Sequence, residues 1–373
     1  MEFETTRPLR RSFLRTCGAA LGTAFLGNPT GHGTRVAADT GQRQGSHLVR
    51  FGLSDLYVTR YCQGTAFRSK NVPRTDNPAA RAILQQSLEV GINFFDTAEG
   101  YGWGGSEKVL GRVLAESGRR HDVVICTKVH PGLPPPDHPN FNEFNTISPN
   151  PTFSRRLLVR RLEMSLERLR TDYVDLYLLH NPDQVTPLEE VVESMDALVR
   201  SGKIRYWGVS NHSAGQVSTL HNICQTNPDK SPIIGTEDFY NITIGERFDP
   251  ELFRVLRKAK KGLLAFSPQE TGLLSPGREK EAGKTRLPVL RALDQVAREL
   301  GATRPQVCIA WSLANPAVTS VLGGAESPAQ VVENFGGTQI QLTSEALELL
   351  NAASATYTQK RLQRIRDVEQ KKT

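Results

Sequence analysis

Five cysteines in 373 residues, scattered and never spaced Cys-x-x-Cys, are too few and too dispersed to staple a fold or bind zinc. Cys17 sits in an N-terminal segment. Cys62 and Cys126 stand in apolar, strand-like contexts, so buried, reduced thiols are expected, with no disulfide framework and no metal. No basic run is interleaved with stacking aromatics, which argues against a nucleic-acid partner. Of the formal net charge of +7, the five arginines and two glutamates of residues 1–38 account for +3, leaving a modest excess on the rest. No Gly-x-Gly-x-x-Gly follows a first strand, which excludes the doubly wound dinucleotide fold. No linker divides the chain after residue 47, so one large domain is expected. The apolar run from Cys17 to Gly27 is too short to span a bilayer as a settled helix, and no stable membrane span is expected.

That run follows Arg10-Arg11-Ser12-Phe13-Leu14-Arg15 and precedes the small residues Val36-Ala37-Ala38. Paired arginines before a modest apolar segment resemble a twin-arginine export signal. The expectation is a signal over residues 1–38, a mature chain from about Asp39, and export to the periplasm in the folded state. A non-functional signal would leave a basic extension on a cytoplasmic protein.

From residue 47 to residue 350 the pattern alternates between strand and helix. His47 to Arg60 reads as a hairpin around Gly52-Leu53-Ser54-Asp55. Pro78–Val90, Ser106–Ser117, Ser213–Cys224, Pro250–Lys260, Pro288–Leu300 and Pro305–Ala314 have helical character. Ser154 caps a helix striped by Leu157, Leu158, Leu162, Leu166 and Leu169, and Pro187 opens another that runs to Arg200. Eight strand–helix units imply an α/β fold, a parallel (β/α)8 barrel with its site at the C-terminal rim of the strands. Residues 130–153, rich in Pro and Asn, read as a functional loop, and residues 351–373 as a basic, solvated C-terminal tail.

Three strand ends carry chemistry. Phe94-Phe95 ends in Asp96, with Tyr101 five residues on between Gly100 and Gly102. Val123 to Thr127 ends in Lys128, and Asp175 to Leu179 ends in His180. In this order and spacing, over roughly residues 47 to 350, Asp, Tyr, Lys and His resemble the tetrad of the aldo-keto reductases. The resemblance implies a barrel plugged at its bottom by the hairpin, and a carbonyl reduced by a nicotinamide hydride. It makes Tyr101 the general acid and Lys128, kept charged by Asp96, the group that lowers the tyrosine's proton affinity. His180 would then orient the carbonyl oxygen.

The resemblance also implies a cofactor cradle. Gly64 and Thr65 end the first barrel strand. Ser210-Asn211 match a pair that holds the nicotinamide carboxamide. Phe266 matches a stacking aromatic and Ser267 a phosphate contact. Gly324, Gln330, Glu333 and Asn334 match the adenosine end. Two departures stand out. Glu237 replaces a glutamine and can still accept from the carboxamide. Glu326 stands where relatives place lysine or serine near the ribose 2′-phosphate, which disfavours NADPH against NADH unless Arg278 or Arg286 compensates. Glu99, Trp103, His130 and Phe239 are candidate pocket walls, the two rings favouring an apolar or aromatic carbonyl.

The expected function is a nicotinamide-dependent oxidoreductase reducing an aldehyde or ketone, or oxidising the alcohol. Two alternatives stay open. One is a nucleotide-holding, redox-sensing or partner-binding subunit with little turnover. The other is a sugar oxidoreductase with tightly retained cofactor.

Overall fold

A computed structural model describes residues 48–67, 77–132, 152–183, 185–246 and 249–370. The expected export signal, most of the 130–153 loop and the last three residues lie outside the described residues. Strands β1 (Leu48–Arg50) and β2 (Tyr57–Thr59) pair antiparallel, as the hairpin reading requires. Eight further strands follow: β3 (Tyr61–Gly64), β4 (Phe94–Asp96), β5 (Val124–Val129), β6 (Val174–Leu179), β7 (Ile204–Ser210), β8 (Ile233–Phe239), β9 (Gly262–Phe266) and β10 (Ser320–Gly323). They pair parallel in sequence order, and β10 closes on β3 to make a barrel. Closure removes the sheet edges, and the intervening helices cover its outside.

The helices are α1 (Pro78–Glu89), α2 (Gly105–Ser117), α3 (Arg155–Leu169), α4 (Leu188–Arg200), α5 (Ala214–Thr226), α6 (Pro250–Lys258), α7 (Glu279–Ala282), α8 (Leu287–Glu299), α9 (Arg304–Leu313), α10 (Pro328–Gly336) and α11 (Ser344–Gln370). Their starts follow from local chemistry. Asn77 and Ser154 cap α1 and α3, and Pro78, Pro305 and Pro328 fill first-turn positions whose N–H has no helical partner. Ser213 with Gln216, and Thr303 with Gln306, form reciprocal capping boxes. Pro187 is the cap of α4 rather than its first helical residue.

The expected solvated tail is instead the second half of α11. Ser354, Tyr357 and Thr358 are buried there, continuing a helical stripe from Ala346 and Leu350. Polar and small residues hide that stripe from a hydrophobicity reading.

Two apolar cores divide the molecule. One lies between barrel and helices. The other fills the barrel, with Cys62, Phe94, Val124, Cys126, Leu176, Leu178, Ile234, Leu264 and Leu322 packed against Phe51, Leu56 and Val58 of the hairpin. The hairpin therefore plugs one end. Phe51 lies over Gly262, where a Cβ would stand 2.7 Å from two ring carbons. Phe51 is buried on all sides, so Gly262→Ala has no room without moving it. The expected cost is about 1–3 kcal/mol, the range for overpacking a core, read as a lowered midpoint in denaturant. An unchanged midpoint would mean that the plug is loosely seated.

Candidate active site

The inward alternation of the barrel strands fixes the site. Cys62, Phe94, Cys126, Leu178, Leu264 and Leu322 point into the plugged core. Two residues further along each strand or its exit stand Gly64, Asp96, Lys128, His180, Phe266 and Gly324, the next inward positions by the period of 2. All lie at the strand ends opposite the plug. Glu237 is out of phase with Ile234 on the same strand. Two steps on β7, from Trp207 to Val209, face three on β8, from Ile233 to Thr236, so a bulge inserts one residue and turns Glu237 inward.

Lys128 is the hub. Its ammonium donates to Asp96 Oδ1, to the Thr97 carbonyl at 3.1 Å and to the Tyr101 hydroxyl at 3.2 Å. Those three bonds use all its N–H groups. Asp96 and Lys128 are wholly buried. Burial penalises the charged lysine, but Asp96 and Glu237 outweigh that and hold its pKa well above the usual range. Tyr101 opens a 3-10 turn after β4. Gly102 is left-handed there (φ 52°), as are Trp103 (φ 56°) and Gly104 (φ 79°), so glycine eases the turn after the tyrosine, whereas Gly100 (φ −78°) needs no such freedom. The turn sets the Tyr101 ring 4.8 Å from Lys128 Nζ and edge-on to His180, with centroids 5.7 Å apart.

Lys128 does pull the Tyr101 proton affinity down, as expected, but burial outweighs it. Burial, reinforced by Asp96 and Glu237, raises it above the ordinary phenol value, and Lys128 only partly offsets this. Tyr101 is thus protonated at neutral pH. Burial, then the charge on Lys128 and the neighbouring His130, holds His180 well below the usual imidazole range, so its ring is neutral. Its Nδ1 is buried without a hydrogen-bond partner.

Among the candidate pocket walls, Glu99 is a correction. It is 1% exposed, paired with Arg161 through Nε and Nη2 (2.5 and 2.7 Å), and accepts from the His130 N–H at 2.9 Å. It supports the site from behind. His130 does border it, 6.1 Å ring to ring from His180. Burial and Arg161 pull its pKa down to about 4, and its Nδ1 accepts from the Gly132 N–H at 3.1 Å, so Nε2 carries the proton. Phe239 meets Phe266 edge-on at 5.3 Å, and both are half-buried beside the rim. Trp103 is half-buried in the turn that carries Tyr101.

The cradle residues divide into open and engaged. Thr65 Oγ1 is buried with no partner, and a Cβ on Gly324 would meet no described atom within 4 Å beyond its chain neighbours, so the first offers an unused polar atom and the second open space. Ser210 pairs in register with Glu237, and Asn211 donates to the His180 carbonyl and to Ser210 Oγ, each at 2.9 Å. Ser267 is left-handed (φ 60°), which directs the chain away after Phe266. Asn334 is spent inside the protein. It donates to Tyr61 Oη and the Gly324 carbonyl and accepts from Gln269, so it ties two rim loops together rather than facing a ligand. Gln330 accepts from the Glu326 N–H at 2.8 Å at the start of α10, Glu333 is half-buried, and Glu326 is exposed. Arg286 does not compensate for Glu326, because it forks onto buried Glu270 at 2.6 and 2.7 Å. Arg278 pairs with Glu281 at 3.4 Å.

Sequence reading missed Arg161 and placed Glu237 only as a ligand contact. Glu237 Oε2 lies 3.3 Å from Lys128 Nζ. Asp96, Cys126 and Glu237 each offer a donor atom within 4.8 Å of the others, a grouping that could suggest a metal. The Lys128 ammonium is already the cation between its carboxylates. All four described cysteines are buried and unpaired.

A family model described as the aldo/keto reductase family matches residues 62–355. The chain is 33% identical over 326 residues to a putative voltage-gated potassium channel subunit beta of Schizosaccharomyces pombe, covering 80% of this chain and 91% of that protein. It is 32% identical over 319 residues to an uncharacterized oxidoreductase, YrpG, of Bacillus subtilis, covering 80% and 93%. To a probable voltage-gated potassium channel subunit beta of Oryza sativa it is 31% identical over 324 residues, covering 81% and 94%.

Proposed function

The chain belongs to the aldo/keto reductase family, and on that premise we propose that it reduces an aldehyde or ketone, or oxidises the matching alcohol, with a nicotinamide nucleotide. The observation that carries this reading is the reach of one ammonium. Lys128 Nζ bonds both Asp96 and the Tyr101 hydroxyl, with the His180 ring beside the tyrosine.

The nucleotide, when bound, supplies the hydride. Thr65, Ser210, Asn211, Phe266, Ser267 and Gly324 would hold it, and Thr65 Oγ1 and the open Gly324 backbone are the features that fit such a group. Tyr101, protonated at neutral pH, donates its proton to the carbonyl oxygen. The phenolate left behind lies against Lys128, whose fixed positive charge stabilises it in a buried setting where charge interactions are strong. Neutral His180 donates a hydrogen bond to the same oxygen and orients it. Glu99 and Arg161 hold the His130 backbone, and so the ring beside His180. Return of a proton from solvent to Tyr101 completes the cycle.

The test is to purify the chain, identify any nucleotide that stays bound, titrate the emptied protein with NADH and NADPH, and screen carbonyl compounds. Reversible binding with turnover supports the reductase. Failure to bind either nucleotide would sink it. Glu326 is expected to make NADH bind at least as tightly as NADPH. Glu326→Lys should favour NADPH by about two- to fivefold, the range of an exposed charge pair. Much tighter NADPH binding by the unaltered chain would contradict this. Tightly retained nucleotide that turns over in place would favour a sugar oxidoreductase. A second reading is a nucleotide-holding subunit that serves a partner with little turnover. The potassium channel subunit beta names of two relatives favour it, and retained nucleotide with no turnover would select it.

A further inference from the structure

We propose that Glu237 is a second counter-carboxyl of the lysine cage, sharing one proton with Asp96 so that the pair presents a single negative charge to Lys128. Either carboxylate can then serve as the ammonium's counter-ion. The assignment rests on the reductase reading only for its kinetic consequences.

Geometry and charge together point to a shared proton. Asp96 and Glu237 are both buried, with side-chain oxygens within 4.8 Å of each other. Asp96 Oδ2 and Glu237 Oε2 each lack a hydrogen-bond partner and are closed to solvent. An ionised carboxylate only accepts, so two ionised groups would leave both oxygens empty and two like charges together. Lys128 cannot relieve this, because its three N–H groups already bond Asp96 Oδ1, the Thr97 carbonyl and Tyr101. Its contact with Glu237 at 3.3 Å is chiefly one of charge, because its N–H groups are directed at those three partners. The two carboxyls face each other as hydrogen-bond partners, so one proton between them removes one of the like charges and leaves the buried cage neutral. Two carboxyls that share a proton because they cannot both ionise are a known arrangement in enzyme sites.

The groups facing Glu237 agree. They are Asp96 from β4, Cys126 and Lys128 from β5, Cys62 from β3 and Tyr101 from the turn after β4. Burial, then the Asp96 charge, pushes the Glu237 carboxyl well above the usual range, and Lys128 offsets only part of it. Burial also raises both thiols, so neither cysteine adds a charge. The bulge in β8 is what delivers this carboxyl to the cage. Without the extra residue, position 237 would face the helices.

Glu237 acts through Lys128 and is a positioning residue. At high pH the shared proton leaves, a second negative charge faces Tyr101, and its hydroxyl becomes a weaker acid. Activity then falls at a pH set by the pair.

Infrared difference spectra of the nucleotide-free protein at neutral pH, against Glu237→Gln, test the shared proton directly. A protonated-carboxyl band lost in the variant is expected. A spectrum with no such loss overturns the proposal, whether or not the protein turns over any carbonyl. Where turnover is found, kcat/KM is compared for Asp96→Asn, Glu237→Gln and the pair. Asp96→Asn should cost at least about tenfold more in the Glu237→Gln background than alone, the coupling expected of groups in one network. The upper limb of the pH profile should move to higher pH in Glu237→Gln. Additive costs and an unmoved limb overturn the proposal. A band lost in a chain without turnover leaves the shared proton standing and refutes the reductase instead.

Discussion

Tyr101→Phe is expected to lower kcat/KM for carbonyl reduction by about 10²–10⁴-fold, the usual contribution of a positioned general acid, or about 2.7–5.5 kcal/mol in the barrier. The substitution removes one oxygen and little else. The turn that places the ring is set by Gly102 and Gly104, and Lys128 keeps its bonds to Asp96 and the Thr97 carbonyl. Nucleotide affinity should therefore hold while the chemical step fails. Burial raises the proton affinity of Tyr101, so the unaltered hydroxyl is in its donating form throughout the neutral range. No other described hydroxyl is bonded to the Lys128 ammonium. Steady-state kinetics beside a nucleotide titration separate the two effects. Turnover retained in Tyr101→Phe would sink the assignment.

Arg161→Met should destabilise the fold by about 3–5 kcal/mol, the cost of leaving one partner of a buried ion pair unmatched. Arg161 and Glu99 are 3% and 1% exposed, so the carboxylate left behind is shielded from solvent. Burial already raises the Glu99 pKa, and Arg161 is the largest influence that lowers it. Without the arginine the folded state holds the Glu99 proton more tightly than the unfolded state does. Below the unfolded carboxyl range both states are protonated, and the deficit is smallest. As pH rises through that range only the unfolded state releases the proton, so the variant's stability falls. Chemical denaturation at several pH values should show the gap from wild type widening with pH, and Glu99→Gln in the same chain should recover part of it. A gap independent of pH would mean that Glu99 is not the group left stranded. Because Glu99 also fixes the His130 N–H, turnover should drop where the protein remains folded.

The barrel and the three strand-end residues were legible because both follow from period. Strand, helix and turn chemistry alternate, and Asp96, Lys128 and His180 each continue an inward series. Glu99 was misread because a carboxylate two residues before Tyr101 looks like a pocket wall until its partner is known. That partner left a trace in α3. Arg161 and Arg168 fall on the stripe of Leu158, Leu162 and Leu169, where a charge has no business unless paired. Arg168 indeed meets buried Glu107 at 2.6 Å. The pairing of Glu237 with Lys128 escaped for another reason. Strict alternation from Ile234 points Glu237 outward, and a one-residue bulge is a property of pairing between strands, not of either strand alone.

The hairpin that fills one end of the barrel makes its interior a blind alley. Among the described residues, the way to Tyr101 lies at the end opposite the plug, where Phe239, Phe266 and the turn carrying Trp103 stand. Under the proposed reaction two visitors share that entrance. The plug thus sets the side from which both would enter, although it lies at the end of the molecule furthest from the bond being made.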